Sequence, residues 1–372
     1  MRKIKLTAAI LCAASLLAAT ANAADVGMVD ISVSAESAIV IEASTGRVVY
    51  EKDADTRRPM ASTTKIMTAL VALEQTDLAR EVSVAGEAVG VEGSSVYLET
   101  GDKLKMEDLV YALLLESAND AAAAIAIDVA GSVEGFAELM NAKAAELGLT
   151  NTHFTNPHGL DSEEHYTTAR DLATLAAHAL QNETFRRIVS TYRYTIPMGD
   201  ETRHLLNHNK MLKLYDGAIG VKTGYTRRSG RCLVSAAERD GMTLVAVTLN
   251  APDDWNDHTA MLNAGFDSLE PVQLIADQES VFISPCIGST NGEVTIQSGE
   301  GLTVILPKGT HDIRRVINMP RYFWAPVREG DEVGEIVFYD GQTELGRVGL
   351  YAAETVERVT YKQGILEQIF GK

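Results

Sequence analysis

The sequence predicts an α/β domain followed by a small all-β domain. Strand-like segments begin and end the first part of the chain, and apolar residues at helical spacing dominate the stretch between them. After Leu269 the pattern changes, and over residues 281–351 short β-rich segments alternate with turn signals such as Pro307-Lys308-Gly309. The first part therefore predicts one mixed sheet whose edges come from distant sequence, and the second part predicts a separate β domain.

The elements of the first domain follow from the spacing of apolar residues. Residues 37–43 and 48–50 flank a tight, glycine-containing turn and predict a hairpin. Helical spacing occurs in four later segments: 61–74, 109–129, 134–147 and 171–180. Strand signals return at three places: 217–223, 231–236 and 243–250.

Composition and charge restrict the classes of protein to which the chain can belong. It has 372 residues, of which 46% are hydrophobic and 23% charged, enough to form the cores of two globular domains. This balance excludes a disordered chain and a collagen-like repeat. The net charge is −18, and no run of Lys and Arg is long enough to follow a phosphate backbone, so nucleic acid is not expected as a partner.

The first 23 residues have the form of a secretory signal peptide. Basic residues within 1–5 precede an uncharged, mostly apolar stretch over 6–19, and Ala21-Asn22-Ala23 has the small-x-small form of a cleavage site. The stretch is shorter than the roughly 20 apolar residues of a membrane span. We therefore expect export and cleavage after Ala23. Cleavage removes three basic residues and no acidic ones, so the mature net charge is 30 − 51 = −21.

The mature chain predicts neither a disulfide framework nor a metal site. Its two cysteines, Cys232 and Cys286, show no recognisable spacing pattern. Cys232 falls in an apolar strand segment, which favours a buried, unreactive thiol over a functional one. His158 and Asp161 lack the spacing and the third ligand of a metal site, so we interpret them as part of a turn that lines a cleft. No cofactor is expected.

The motif Ser62-Thr63-Thr64-Lys65 lies at the predicted start of a helix. Residues three apart share a helical face, so the Lys65 amine can reach the Ser62 hydroxyl near the positive end of the helix. A lysine that is kept from water beside a second cation has a lowered pKa, and neutral Lys65 could then act as the base for Ser62. Taken alone, so short a motif favours an N-cap serine followed by a solvated lysine.

Two further polar motifs accompany apolar segments. Ser117-Ala118-Asn119 interrupts the helical run 109–129, where burying unpaired polar groups is unfavourable, so it marks either a loop between helices or a bend that faces a cleft. Lys222-Thr223-Gly224 ends a predicted strand. A cation beside a hydroxyl suits a carboxylate, and a glycine lets a ligand lie close to the strand. Taken alone, this motif is a strand running into a turn.

The three motifs S-x-x-K, S-x-N and K-T-G, in this order, resemble those of the penicillin-recognising serine enzymes, which include β-lactamases and penicillin-binding proteins. Over about 34–269 the chain is most similar to the low-molecular-weight D-alanyl-D-alanine carboxypeptidases. Longer segments carry this resemblance: 59–68, 156–161 with 168–171, and 220–226. The implied fold is a β-lactamase/transpeptidase-like α/β domain, with an antiparallel sheet flanked by helices plus a helical subdomain, followed by the family's small all-β C-terminal domain.

The resemblance implies roles for the residues of the first two motifs. Ser62 would be the nucleophile, and Lys65 would be its base. Ser117 would pass a proton to the leaving amine. Asn119 would orient both Lys65 and the substrate amide.

The resemblance also implies how the substrate is held. Lys222 and Thr223, followed by Gly224, would bind its terminal carboxylate, and the backbone N–H groups of Ser62 and Tyr225 would form the oxyanion hole. The family often has an arginine near this pocket, in the segment after the strand that follows K-T-G, and this sequence lacks it there. Three other side chains stay open as carboxylate ligands: Arg227, Arg228 and His258.

The implied function is that of a serine hydrolase that removes the terminal D-alanine from D-Ala-D-Ala stem peptides of peptidoglycan and that binds β-lactam antibiotics. A class A β-lactamase is one alternative, but it needs a glutamate in an E-x-x-x-N segment, and none lies between Asn119 and Lys222. A non-catalytic wall-associated protein, with the β domain as its binding part, is the other. Intact Ser62, Lys65 and Lys222 argue against it.

The predicted segments are a signal peptide, a catalytic domain, a β domain and a short tail: 1–23, 30–272, 278–356 and 357–372. Apolar residues of the tail fall on one helical face, and the family often places such a helix on the outer face of the cytoplasmic membrane. Because the tail is short and the chain acidic, we expect only weak, reversible contact with a membrane surface. A helix docked on its own β domain is the alternative. The expected location is outside the cytoplasm, at the cell wall or the outer face of the membrane.

Overall fold

A computed structural model describes residues 29–199 and 201–360. The predictions of a signal peptide and of an amphipathic helix over 361–372 lie outside these described residues. The α-helices are α1 (Lys65–Gln75), α2 (Met106–Leu115), α3 (Asn119–Ala130), α4 (Val133–Glu146), α5 (Ala169–Ala179), α6 (Glu183–Ser190), α7 (Met211–Leu214) and α8 (Asp254–Ser268). The strands are β1 (Ser37–Glu42), β2 (Val48–Lys52), β3 (Glu81–Ser83), β4 (Lys103–Lys105), β5 (Arg193–Met198), β6 (Glu201–Leu206), β7 (Ala218–Thr226), β8 (Gly230–Arg239), β9 (Met242–Leu249), β10 (Leu269–Ile275), β11 (Ser280–Ile287), β12 (Glu293–Ser298), β13 (Leu302–Pro307), β14 (Ile313–Asn318), β15 (Phe323–Trp324), β16 (Glu332–Asp340) and β17 (Thr343–Ala352).

Five strands of the first domain form one sheet in the order β2-β1-β9-β8-β7. The N-terminal hairpin therefore joins strands from far along the chain, with Ser37 opposite Leu249, and the prediction that distant segments share a sheet is confirmed. All four pairings are antiparallel, as the family resemblance implies, rather than mixed as the segment pattern alone suggests. Short turns link β7 to β8 and β8 to β9, and such turns join antiparallel neighbours.

The sheet separates two hydrophobic cores because successive side chains of a strand point to opposite faces. On β1, Ile39 and Ile41 pack with the helices α1 to α6, whereas Ala38 and Val40 pack on the other face with α8. The site residues of α1 therefore lie on one face of the sheet, and α8 covers the opposite face.

The helical run predicted over 109–129 is two helices, α2 and α3, that meet at a corner. Ser117 at this corner has φ +62°, a left-handed conformation that residues other than glycine rarely adopt. The residues before α1 form a 3-10 turn, Ala61–Thr64, in which Ala61 has φ +48°. Both left-handed positions lie in or next to a predicted motif, and such backbone strain is concentrated at functional sites.

The sequence pattern does not indicate α6, α8 or the β5–β6 hairpin. α6 has only eight residues, and its start depends on Asn182, whose side chain caps two backbone N–H groups. The first turn of α8 follows Pro252 and carries Asp254 and Asp257, which is the composition of a loop, although acidic residues there also stabilise a helix N-terminus. The hairpin is largely exposed and polar, so it lacks the alternation of a half-buried strand.

The second part of the chain is rich in β-strands, as predicted. Six strands form one sheet in the order β14-β16-β17-β12-β11-β15, over a core that includes Val294, Ile296, Ile336 and Leu350. β10, which follows α8 directly, pairs with β13. No helix in the described part of the chain is both long enough and apolar enough to cross a bilayer.

Candidate active site

Ser62 lies in the 3-10 turn that precedes α1. The hydroxyl of Thr63 donates to the Met60 carbonyl at 2.6 Å, and that of Thr64 donates to the Ala61 carbonyl at 2.7 Å. These two bonds hold the turn from within. Ser62 is half-buried at the start of a helix, where backbone N–H groups lack partners inside the helix and can serve a ligand.

The amine of Lys65 forms the centre of the site. Its side chain is 0% exposed, and Nζ lies 3.0 Å from Ser62 Oγ, 2.7 Å from Asn119 Oδ1 and 2.6 Å from the carbonyl oxygen of His158. A neutral amine has two hydrogens and one lone pair. Asn119 and His158 offer acceptors for the two hydrogens, so the lone pair is left to accept the hydroxyl proton of Ser62.

The surroundings of Lys65 favour this neutral form. Burial lowers the pKa of Lys65 well below its ordinary value because the charged amine loses its hydration. The positive charge of Lys222 lowers this pKa further, and Asp120 partly opposes both effects. Lys65 therefore has the properties of a base that is ready to accept a proton.

Asn119 is held in place by a loop that the sequence analysis did not single out. Its Nδ2 donates to the carbonyl of Glu92, and its backbone N–H donates to the carbonyl of Ser94 at 2.7 Å. The buried carboxylate of Asp120 accepts three hydrogen bonds from residues 95–98. The start of α3 and this loop therefore form one rigid unit, which fixes the amide oxygen that contacts Lys65.

Ser117 is buried at the corner between α2 and α3. The preceding residue, Glu116, attaches this corner to the end of β6 and the residues just after it. Its Oε1 accepts the backbone N–H of Leu206 at 2.6 Å, and its Oε2 lies 3.2 Å from Nε2 of His208. The hairpin therefore supports Ser117 from outside, and α2 and α3 support it from within.

The K-T-G motif lies on β7, at an edge of the five-stranded sheet. Lys222 is buried, and its Nζ donates to the carbonyl of Thr223 at 3.0 Å. Burial lowers the pKa of Lys222 to about 7, against the opposing influence of Glu116. Thr223 is half-buried, and the side chain of Tyr225 is exposed. Near neutral pH, Lys222 is thus only partly protonated, and a bound carboxylate would stabilise its charged form.

Gly224 brings β7 against the Ser62 turn. A Cβ at this position would lie 3.0 Å from the backbone nitrogen of Ser62 and 3.1 Å from Cβ of Ala61. The sequence interpretation, in which the glycine leaves room for a ligand, is therefore incomplete. Its missing side chain first lets the protein's own strand approach the turn that carries the nucleophile.

The Pro-His-Gly turn closes the remaining side of Lys65, as the interpretation of a cleft-lining turn expects. Asn156 Oδ1 accepts the N–H of Gly159 at 2.7 Å. Gly159 has φ +90°, and a Cβ there would collide with the carbonyl of Ala61. Burial, followed by the charge of Lys65, lowers the pKa of His158 to about 4, so the ring is neutral. The contribution of His158 to Lys65 is its backbone carbonyl, which no side-chain motif reveals.

A buried histidine that the sequence analysis did not name, His165, supports the Ser62 turn. His165 Nδ1 accepts the backbone N–H of Thr155 at 3.0 Å, so the ring proton is on Nε2, which lies 2.7 Å from Thr64 Oγ1. The Thr64 hydroxyl donates its own hydrogen bond to the Ala61 carbonyl. Burial lowers the pKa of His165 to about 3, which keeps this tautomer neutral. The chain of donors orients the turn that carries Ser62.

Comparison with known proteins identifies the family. The family profile described as D-alanyl-D-alanine carboxypeptidase matches residues 19–253, which is more than half of the chain. The chain belongs to the D-alanyl-D-alanine carboxypeptidase family. A second profile, described as the C-terminal domain of penicillin-binding protein 5, matches residues 270–358.

Curated relatives of this carboxypeptidase-family chain cover most of its length. The chain is 32% identical over 338 residues to the D-alanyl-D-alanine carboxypeptidase DacF of Bacillus subtilis. This alignment covers 88% of this chain and 87% of that protein. The chain is also 32% identical over 371 residues to the D-alanyl-D-alanine carboxypeptidase DacC of Escherichia coli, covering 92% and 89%. The family resemblance of the motifs is thereby confirmed.

Solved structures of related proteins share the architecture. Penicillin-binding protein 5 from Haemophilus influenzae has a TM-score of 0.67 at 25% identity, covering 89% of this chain and 100% of that chain. The D-alanyl-D-alanine carboxypeptidase DacD from Francisella tularensis has a TM-score of 0.65 at 28% identity, covering 89% and 95%. The predicted fold class, an α/β transpeptidase-like domain followed by a small all-β domain, is confirmed.

The fold reduces the number of side chains that could bind the substrate carboxylate in place of the arginine often found in the family. His258 belongs to α8, on the face of the sheet opposite to α1, and its ring lies between the hydroxyls of Ser235 and Thr248. Burial lowers its pKa to about 3. His258 is therefore excluded as a carboxylate ligand. Arg227 and Arg228 are exposed just after β7 and stay candidates.

Neither Cys232 nor Cys286 takes part in the site. Cys232 and Cys286 are both free and buried. Cys232 is buried, as expected, and burial raises its pKa to about 11, which disfavours the reactive thiolate. Over the ranges that the structure describes, no group of three or more His, Cys, Asp or Glu side chains is suited to hold a metal ion.

Proposed function

We propose that this chain is an exported serine hydrolase that removes the terminal D-alanine from D-Ala-D-Ala stem peptides of peptidoglycan through an acyl-enzyme on Ser62. The arrangement around Lys65 is the observation that supports this proposal: a buried amine contacts the Ser62 hydroxyl, and two fixed oxygen atoms occupy its hydrogens. The relatives DacF and DacC carry the name D-alanyl-D-alanine carboxypeptidase, which agrees with this chemistry.

Acylation would begin with proton transfer from Ser62 to Lys65. As Oγ attacks the carbonyl carbon of the penultimate D-alanine, the carbonyl oxygen becomes negatively charged. The N–H groups of Ser62 and Tyr225 would donate to it, and one such donor typically contributes roughly 100-fold or more to the rate. The close approach of β7 to the Ser62 turn at Gly224 supports this pairing of donors.

The substrate would be held at its free end while the peptide bond breaks. Charged Lys222 and the Thr223 hydroxyl would bind the terminal carboxylate. Protonated Lys65 would return its proton through Ser117 to the departing amine, so that the C–N bond breaks and D-alanine leaves. Water would then attack the Ser62 ester, with Lys65 again accepting a proton, and release the shortened peptide.

Two observations weigh against a β-lactamase. Rapid hydrolysis of a penicilloyl ester in a class A enzyme needs a carboxylate base, and the E-x-x-x-N segment that would supply it is missing between Asn119 and Lys222. The third hydrogen-bond partner of the Lys65 amine is the His158 carbonyl, and a backbone carbonyl cannot act as the base that takes a proton from the hydrolytic water. We therefore propose that β-lactam antibiotics acylate Ser62 and persist there as inhibitors.

A non-catalytic scaffold is also disfavoured. Both Lys65 and Lys222 are buried, and burial lowers the pKa of each, which reduces stability in the charged state. A scaffold would gain nothing from two desolvated amines beside a serine, whereas an enzyme needs them. We place the active protein outside the cytoplasm, with peptidoglycan rather than nucleic acid as its partner and with no cofactor, and we retain 30–272 and 278–356 as its domains.

The proposal is tested by incubating the mature protein with a peptide ending in D-Ala-D-Ala and measuring free D-alanine. A peptide of the same sequence ending in L-Ala-L-Ala is the matched control. We expect release from the first peptide only. Rapid turnover of penicillin without release of D-alanine would support the β-lactamase instead, and inertness toward both compounds would support the scaffold.

A further inference from the structure

The strand β11, which lies between β12 and the short edge strand β15, has an inverted distribution of side chains. The residues that point into the core of the β domain near its end are Ser284 and Cys286, whereas Ile283, Pro285 and Ile287 are exposed. A strand with one solvated face normally has its apolar residues inside and its polar residues outside. Ile283 is 67% exposed and Ile287 is 42% exposed, so this surface is not covered within the described chain.

Two aromatic side chains extend the same surface. Ile287 is paired with Trp324 of the neighbouring strand β15, and the ring of Tyr322 lies 6.2 Å from that of Trp324 in a T-shaped arrangement. Trp324 is 67% exposed and Tyr322 is 50% exposed. We call the surface formed by Ile283, Pro285, Ile287, Tyr322 and Trp324 the Trp324 face.

We propose that the Trp324 face of the β domain contacts the surface of a lipid membrane. Tryptophan and tyrosine are enriched where membranes meet water, because an apolar ring can enter the lipid while the N–H or O–H group stays hydrated. The isoleucines would enter the boundary of the acyl chains. Exposed Arg321, next to Tyr322, is placed to meet lipid phosphate groups. None of its residues belongs to the catalytic site or to the tail.

The described chain leaves the β domain beside this face. The N–H of Val359 donates to the carbonyl of Gly288 at 2.8 Å, and Arg358 pairs with Ser289. Both partners directly follow Ile287. The last described residues of the chain therefore lie next to the Trp324 face, and the apolar residues of the tail follow them in the sequence. Two weak contacts with one membrane strengthen each other, because the first holds the second at a high effective concentration.

The exposed area of the face favours lipid over a protein partner, and the entropy cost of ordering the tail favours lipid over the tail. The exposed side chains offer on the order of 500 Å², less than the roughly 800 Å² per partner of a standard protein interface. The tail could cover the face, but ordering its residues would lose conformational entropy, whereas the folded face needs no ordering to meet lipid. The net charge of −21 for the mature chain opposes anionic lipid, whereas Arg321 attracts it. Because these two effects offset each other, we expect similar binding to uncharged and anionic vesicles, with little effect of salt.

Co-sedimentation with vesicles of phosphatidylcholine, and of phosphatidylcholine with phosphatidylglycerol, tests the proposal. The proteins are the mature chain and the chain ending at Thr360, each with and without Ile287→Ser and Trp324→Ser. Ile313→Ser is the matched control, because Ile313 is 38% exposed on β14, at the opposite edge of the same sheet. We expect the shortened chain to keep measurable binding, the double variant to lower binding about tenfold in both chains, and the control to lower it little.

Fluorescence supplies a second measurement, because the chain has two tryptophans and Trp255→Phe leaves Trp324 as the only one. Emission from Trp324 should shift to shorter wavelength when vesicles are added, in both chain lengths. No shift together with equal sedimentation of all variants would overturn the proposal. Trp324 emission that is shielded from water in the full chain without lipid, and exposed after truncation, would also overturn the proposal, because the tail would then be the occupant. A dimer that Trp324→Ser dissociates would overturn it as well. Covalent penicillin labelling of Ser62 in every variant shows that the fold and the catalytic proposal stand independently of the result.

Discussion

Replacing Gly224 with alanine tests whether β7 must pack directly against the nucleophile. The added methyl carbon would lie 3.0 Å from the backbone nitrogen of Ser62, 3.1 Å from that of Thr63 and 3.1 Å from Cβ of Ala61, whereas ordinary contact begins at 3.4 Å. None of these three atoms can rotate away. The strand and the turn must therefore separate by a few tenths of an ångström.

This separation should affect catalysis more than stability. Overpacking of this kind costs about 1–3 kcal/mol, so the protein should stay folded with a melting temperature lowered by a few degrees. The N–H groups of Ser62 and Tyr225 lie on the two parts that move apart. A misplacement of about 1 Å can cost roughly 100-fold in rate, so the smaller shift here should lower the acylation rate constant by roughly 10- to 100-fold.

Stopped-flow acylation by a penicillin, together with a thermal melt, measures both effects. Gly86→Ala is the matched control, because a Cβ at this exposed glycine would meet Thr100 Oγ1 at an ordinary 3.6 Å. The control should acylate at the wild-type rate. Wild-type acylation by Gly224→Ala, with the fold intact, would refute the argument that the missing side chain sets the position of the oxyanion donors.

Four further predictions concern the charges and thiols of the chain. Lys65→Arg should abolish acylation while the circular dichroism spectrum is retained, since a guanidinium does not lose its proton; near-normal acylation would move the base elsewhere. Because the pKa of Lys222 is lowered to about 7, its charge is lost as the pH rises through 7, so KM for the carboxylate-bearing peptide should increase between pH 6 and pH 9; a flat KM would remove Lys222 from carboxylate binding. This lowered pKa also means that, between pH 7 and the ordinary lysine pKa, the unfolded chain binds more protons than the folded chain. The contribution of Lys222 to the free energy of unfolding should therefore become more favourable as the pH rises over that range, which denaturant titrations measure. Cys232 and Cys286 should react with a maleimide only after denaturation, and rapid labelling of the folded protein would contradict their burial.

The parts of the site that were predictable from sequence are those with local spacing. Ser62 and Lys65 lie one helical turn apart, so their contact follows from helix geometry alone. The polar residues Ser117 and Asn119 interrupt an apolar run, which marked this segment either as a loop between helices or as a bend that faces a cleft. The left-handed corner at Ser117 could not be predicted, since helical spacing continues on both sides of it and serine carries no signal for a positive φ.

The contacts that escaped prediction join segments far apart in the chain. The His158 carbonyl reaches Lys65 only because Gly159 folds its turn against Ala61, and a backbone carbonyl has no sequence signature. The bond from His165 to Thr64 likewise depends on tertiary packing. For His258 the sequence suggested a role that the fold excludes. Its residue type made it a candidate carboxylate ligand, but it lies on the face of the sheet opposite to α1.

The central claim is that Ser62 is the nucleophile that Lys65 activates. Mass spectrometry of the mature protein after incubation with penicillin, followed by peptide mapping, tests it most directly. We predict one covalent adduct, located on Ser62, that persists for much longer than the time of acylation, and no adduct on Ser62→Ala. Labelling of Ser62→Ala, or an adduct mapped to another residue of the wild-type protein, would contradict the claim.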